Sequence, residues 1–313
     1  MIEHAGAVMA MTIRERTISK SKVPWQLKMS AKIVLSRLPV AYRHWRRLGM
    51  FAWGDMHRPD YALGVFRRHF EAAAPGRERF SMVEMGPGDS LLSALIGYAH
   101  GCRESVLIDA AAFAHAPLET YQRTAALLQE RGHAVPDGIA RCTSVPEVLA
   151  ACGARYAVDG VRAWETIASG SIDYVFSHTV LQHVRLGEFD RMLREMRRVL
   201  KPDGVCSHLV DLQDMLGGAL NNLRFSPATW ESAFMAGSGF YTNRIRFEDF
   251  RQRCARAGLL CEVIDVDRWP ELPTPRQAMH AAFRSLDDAD LRVRGFHVIL
   301  RPDAQWREAA PAG

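Results

Sequence analysis

One stretch constrains this chain more than any other. A short apolar run, Phe80 to Met85, passes directly into Gly86-Pro87-Gly88, and a helical pattern from Leu91 to Ala99 follows. A second strand pattern, Ser105 to Ile108, then ends on Asp109, 23 residues after Gly86. Strand, glycine turn, helix and strand in this order predict a parallel βαβ unit. Glycine permits the tight turn and lets backbone approach a ligand closely. The amide groups at the following helix start favour polar or anionic groups. An ordinary strand-to-helix turn is the plainer reading. A dinucleotide fold also competes, but its third glycine is absent, Leu91 standing three residues after Gly88. Asp109 can accept ribose hydroxyls at that place or cap the next helix.

The alternation continues. Helices are predicted for Tyr61–Ala74, Pro117–Arg131, Pro146–Ala151, Glu188–Leu200 and Phe247–Ala257. Strands are predicted for Ala154–Val158, Ile172–Ser177, Val205–Leu212, Leu260–Val266 and Phe296–Arg301. Parallel strands with helices on both faces give an α/β, doubly wound sheet.

Two further motifs complete the set. The first is Ser171-Ile172-Asp173-Tyr174-Val175-Phe176-Ser177-His178-Thr179-Val180-Leu181-Gln182-His183-Val184, and the second is Arg198-Val199-Leu200-Lys201-Pro202-Asp203-Gly204. With the glycine loop and Asp109, the sequence resembles the class I S-adenosylmethionine-dependent methyltransferases, whose members carry an IDxVxSxxVLxHV strand and an RVLKPGG helix exit. The likeness covers residues 80–212 by motif and extends to 301 by element order. It implies a Rossmann-like, seven-stranded sheet with the last strand antiparallel, and S-adenosylmethionine bound over the carboxyl ends of the first strands. It also implies that Glu84 orients the loop and the cofactor's amino group. Gly86 and Gly88 would meet the methionine part, Asp109 the ribose, and Ser177 and His178 would line the methyl side. Ser90 departs from the third glycine of many members. Asp159 and Glu165 are the candidates for the adenine amine.

The acceptor side is less defined. An oxygen acceptor needs a general base, whereas an amine or thiol can do without one. Histidine titrates in the useful range, which makes His178, His183 and His208 candidates. His183 also reads as structural and His208 as a satisfied core histidine. Asp211 ends the fifth strand, where sites of open α/β sheets gather. Alternation places it on the face opposite His208. Asp214 could join Asp211, but two acids make a weak metal site, and no metal is expected. The segment 214–246 reads as an insert forming part of an acceptor pocket, or as a packing subdomain.

Composition adds bounds. The apolar fraction is 48% and the charged fraction 24%, enough for a sizeable core. Scattered cysteines without zinc spacing fit a reduced, cytoplasmic protein. Between Arg14 and Arg47 stand ten Lys or Arg and one acid, Glu15. Such a basic segment can meet phosphate, nucleic acid or an anionic membrane. The sequence holds no apolar run long enough for a membrane span and no secretory signal pattern. Residues 1–22 read as a loose tail, and the expected organisation is a tail and helical cap over 1–75, a methyltransferase domain over 76–302 and a tail over 303–313. In the cap, Leu27, Ala31, Val34 and Leu38 form one predicted packing stripe, Pro39 breaks the helix, and a second short helix carries Tyr42, Trp45 and Leu48.

The expected activity is methyl transfer to a small-molecule, lipid- or saccharide-linked acceptor, with peripheral contact to an anionic membrane through the basic region as a second expectation. A non-catalytic cofactor-fold protein and an RNA methyltransferase are the alternatives. Against nucleic acid, the Asn/Asp-Pro-Pro-aromatic signature of many amino-group methylators is missing where Ser177-His178-Thr179-Val180 stands.

Overall fold

A computed structural model describes residues 24–35 and 55–307. The predicted tail at 1–22, the break at Pro39, and Leu38, Tyr42, Trp45 and Leu48 lie outside the described residues.

Seven strands form one sheet in the order β3-β2-β1-β4-β5-β7-β6. They are β1 (Phe80–Met85), β2 (Cys102–Ile108), β3 (Ala154–Ala157), β4 (Ile172–His178), β5 (Leu200–Asp211), β6 (Leu259–Arg268) and β7 (Val293–Pro302). The first five are parallel neighbours, and β7 runs antiparallel to both β5 and β6. The sheet reverses its order between β1 and β4. Crevices at the carboxyl ends of strands open at such a switch point. β4 has six consecutive buried residues from Ile172 to Ser177, as expected for a strand covered on both faces.

Helices pack on both sides. α1 spans Trp25–Leu35, α2 Pro59–Ala73, α3 Leu92–Ala99, α4 Leu118–Glu130, α5 Val145–Ala151, α6 Leu186–Val199 and α7 Phe247–Arg256. α2 starts with Pro59, whose missing N–H is no loss in a first turn, and ends where Ala74 turns left-handed at φ 42°. It buries Leu63, Phe66 and His69 on a core shared with Tyr174 and Phe176 of β4. The other face of the sheet packs α6 and α7 through Phe189, Met192, Met196 and Phe250. Four of the six cysteines are buried, consistent with small core residues. Among the described residues, no helix is long and apolar enough to cross a membrane.

α1 corrects one expectation. Leu27 is 61% exposed and Val34 59%, with Ala31 also exposed, so the predicted stripe faces outward. The packed face carries Trp25, Met29 and Ile33, which meet Met215, Leu216, Phe225, Trp230 and Tyr241 of the segment after β5. The sequence offers two apolar stripes at helical spacing. The one with the tryptophan and methionine removes more apolar surface from water. The Trp25 ring meets Phe225 edge-on at 6.1 Å, and the Arg224 guanidinium lies over it at 5.3 Å.

Candidate functional site

Gly86 and Gly88 adopt φ of 66° and 76°, a region that strongly favours glycine. The Gly86 amide donates to the Ile108 carbonyl at 2.8 Å, tying the loop to the end of β2. A Cβ on Gly86 would lie 2.4 Å from Val180 Cγ2, so the loop is wedged between β2 and the segment following β4.

Asp109 sits beside this loop. Its Oδ1 accepts from the Ala110 amide at 2.8 Å, and the Gly88 amide also stabilises the carboxylate. Its Oδ2 is buried and, among the described residues, has no hydrogen-bond partner. Burial raises the Asp109 pKa to about 6 against the pull of those two amides. A buried acceptor without a donor is costly, and a ribose hydroxyl would satisfy it. Glu84, one strand away in register with Leu107, accepts a hydrogen bond from Ser93. Burial pushes its pKa up to about 8; Ser93 opposes the rise and the charge of Asp109 adds to it. A cationic amino group nearby would bring it back to the ionised form.

Asp89 belongs to the same cluster and was not singled out in the sequence. Its Oδ2 is 2.5 Å from His57 Nδ1, while Oδ1 is buried and, among the described residues, has no hydrogen-bond partner. Ser90 Oγ donates to the Met56 carbonyl at 2.5 Å, and the Leu91 amide donates to the Tyr121 hydroxyl at 2.9 Å. The segment before α2 is thus hydrogen-bonded to the glycine loop. Spacing alone could not pair Asp89 with a histidine 32 residues upstream.

The adenine candidates separate. Glu165 is exposed and forms an ion pair with Arg191. Asp159 immediately precedes Gly160, whose amide donates to the Asp109 carbonyl at 2.9 Å, so it stands at the end of β2.

At the ends of β4 and β5 the two faces hold different groups. Ser177 and His208 are fully buried and paired, Oγ to Nδ1 at 2.8 Å. Burial lowers the His208 pKa to about 3, so it is neutral. No acceptor can reach either side chain in this conformation. Ser177 therefore does not present its hydroxyl to the methyl side, and His208 serves the core rather than the mouth. His178 projects to the opposite face and meets His69 of α2, Nδ1 to Nε2 at 3.1 Å, with the Tyr61 ring edge-on at 6.5 Å. Asp211 is half-buried, and its Oδ1 accepts from the Gln213 amide at 2.9 Å. Unbroken β5–β7 register keeps it on the face opposite His208. Thr179 follows at φ 56°, an unusual conformation for a β-branched residue that often marks functional sites. His183 is tied down, its Nδ1 3.0 Å from the Tyr241 carbonyl.

The segment after β5 is built around Asp214. Its Oδ1 accepts from the amides of Leu216, Gly217 and Gly218, and its Oδ2 from the amide and side chain of Asn221. That carboxylate is fully used, which removes the pairing with Asp211 considered for a metal. Among the described residues, no group of three His, Cys, Asp or Glu could hold a metal ion. Lys32 of α1 donates to the Met215 carbonyl at 3.1 Å, placing the helix on this loop. Arg246 donates to the carbonyls of Leu212, Asp290, Leu291 and Val293, pinning the segment to the ends of β5 and β7.

Residues 139–207, from before α5 into β5, match the family described as Methyltransferase domain. Over that segment the chain is similar to a methyltransferase domain. S-adenosylmethionine is the cofactor this family implies, and the sheet order and reversed β7 agree with it. Among solved structures, an S-adenosylmethionine-dependent methyltransferase from Mesorhizobium loti is 15% identical, with 77% of this chain and 97% of that one covered at a TM-score of 0.40. Another such enzyme, from Methanosarcina mazei, is also 15% identical, with 72% and 93% covered at 0.41. No curated protein matches the chain by sequence.

Proposed function

We propose that this methyltransferase moves a methyl group from S-adenosylmethionine to a small-molecule, lipid- or saccharide-linked acceptor at the ends of β4 and β5, below the 214–246 segment and α1. The observation that carries the reading is the buried, unpartnered Oδ2 of Asp109 beside the two left-handed glycines. In this reading Asp109 accepts the ribose hydroxyls, Gly86 and Gly88 bring backbone against the methionine part, and Glu84 faces the amino group. When bound, the cofactor supplies an activated methyl on a sulfonium. The protein's share is to align the acceptor, exclude water and remove a proton. His178 takes that proton, Asp211 orients the acceptor, and the buried Ser177–His208 pair stiffens the strand ends beneath them.

The test is transfer of labelled methyl from S-adenosylmethionine into fractionated small-molecule and lipid extracts. The reading expects label in one extract fraction together with release of S-adenosylhomocysteine. Folded, cofactor-binding protein that labels nothing would support the non-catalytic alternative. The outward face of α1, with Leu27 and Val34 exposed near Lys28, supports peripheral contact with anionic lipid as well. Sedimentation with vesicles containing phosphatidylserine checks it, and the reading fails if Leu27→Ser/Val34→Ser sediments as well as the native protein.

A further inference from the structure

On the face of the sheet away from α2, three cysteines come together outside the proposed site. Cys206 of β5 and Cys261 of β6 are both in register with Leu300 of β7, so they stand in one row across these strands. Cys254 lies on the buried side of α7, one turn after Phe250. Cys206 and Cys254 share the core under α6 and α7, and Cys261 packs against it. The methyl transfer proposed above uses none of them. β4, β5 and β7 stand between β6 and β1, the strand that carries the glycine loop.

The three thiols differ in what reaches them. Cys206 and Cys254 are fully buried, whereas Cys261 is half-buried on the edge strand. The Cys254 thiol donates a hydrogen bond to the Cys261 sulfur. That bond, helped by the Arg251 guanidinium, outweighs burial and holds the Cys261 pKa below that of an ordinary thiol. The same bond and burial hold Cys254 well above it, so Cys254 keeps its proton. Burial pushes the Cys206 thiol up as well. The thiolate is the reactive form of cysteine, so reactivity in this row concentrates at Cys261, the member that solvent reaches. A protonated thiol stands directly beside it, the arrangement of an attacked and a resolving cysteine. Cys142, the other half-buried cysteine, donates instead to the Gly138 carbonyl at 3.9 Å.

We propose that Cys261 and Cys254 form a redox-active pair, which hydrogen peroxide closes to a disulfide between β6 and α7. The Cys261 thiolate attacks one peroxide oxygen. The oxygen–oxygen bond breaks, and its electron pair leaves with the other oxygen. That oxygen takes up the proton that Cys261 gave up and departs as water, leaving Cys261 as a sulfenic acid. The Cys254 sulfur then attacks the Cys261 sulfur. The sulfur–oxygen bond breaks, and the Cys254 proton leaves with the hydroxyl as a second water. The two thiols have lost two electrons, and the peroxide has gained them. A dithiol reductant restores both thiols by exchange. The bond spans the turn at Gly258, which is left-handed at φ 72°, and ties the end of α7 to the edge strand. Capture by Cys254 stops Cys261 short of the sulfinic acid, which simple thiols do not reverse.

The test exposes reduced, full-length native protein to hydrogen peroxide, counts thiols after denaturation and maps any cross-link by peptide mass spectrometry. Two of the six thiols should disappear, the link should join Cys254 to Cys261, and dithiothreitol should restore both. Without peroxide, limiting iodoacetamide should alkylate Cys261 ahead of the other cysteines. Both measurements use native protein and stand whether or not a variant folds. In Cys254→Ala the reaction should stop at a Cys261 sulfenic acid, which dimedone captures. Cys261→Ser should leave Cys254 unmodified. Thiols that resist peroxide, a first modification at Cys142, a disulfide between molecules, or Cys261 oxidised to the sulfinic acid beside a free Cys254 would each overturn the pair.

Discussion

Asp109 at the end of β2 and Asp214 just beyond β5 are both buried carboxylates, and they differ in what surrounds them. Asp214 receives five hydrogen bonds across its two oxygens. Asp109 has one oxygen held and the other buried, with no donor among the described residues. The first region has spent its polar groups on its own folding. The second keeps an acceptor in reserve at a desolvation cost, as a preorganised binding site does. If the proposed reading holds, substitutions at these two carboxylates should divide between stability, at Asp214, and binding, at Asp109.

The largest effect is expected at the glycine loop. Gly86→Val must adopt a left-handed backbone and displace Val180, so S-adenosylmethionine binding should be lost altogether, accompanied by a lowered melting temperature. Near-native affinity in that variant would mean the ligand shell lies elsewhere.

Glu84 follows. Its pKa is raised from 4.5 to about 8 by burial, so the folded state holds a proton that the unfolded state releases across that window. Stability should therefore fall as pH rises from about 4.5 to 8, by on the order of 4 kcal/mol. Glu84→Gln should flatten this part of the profile in urea melts and still weaken cofactor binding. A native profile that does not decline between pH 5 and 8 would contradict the assignment.

Asp214→Ala should cost stability, about 2–4 kcal/mol, because the buried amides of Leu216 and Asn221 lose their acceptor. Cofactor affinity at a temperature where the variant is folded should barely change. The smallest effect is Lys32→Ala, which removes one hydrogen bond to Met215 and should lower stability by about 1 kcal/mol or less. A large loss of cofactor affinity in either variant would erase the distinction between the two regions.

What the sequence could convey follows the same division. Phe80–Met85, Gly86, Gly88 and Asp109 are legible because apolar runs bounded by glycine, and a carboxylate at a strand end, are local patterns. β4 and β7 were legible for the same reason. α1 was legible as a helix but not in its packed face, since Leu27, Ala31 and Val34 keep the period as well as Trp25, Met29 and Ile33 do. That the Asp214 carboxylate would be wholly consumed by the amides that follow it was not visible. The pairing of Asp89 with His57, and of His69 with Ser207 138 residues away, depends on how helices lie against the sheet. No spacing encodes that.

The central claim is that Asp109 is held open for the cofactor's ribose. Isothermal titration of S-adenosylmethionine into native protein and Asp109→Ala, with thermal melts alongside, tests it most directly. The account predicts one site in the native protein, affinity weakened by about 1–3 kcal/mol in the variant, and a melting temperature that does not fall. Equal affinity in both folded proteins, or a variant that mainly loses stability, would contradict it.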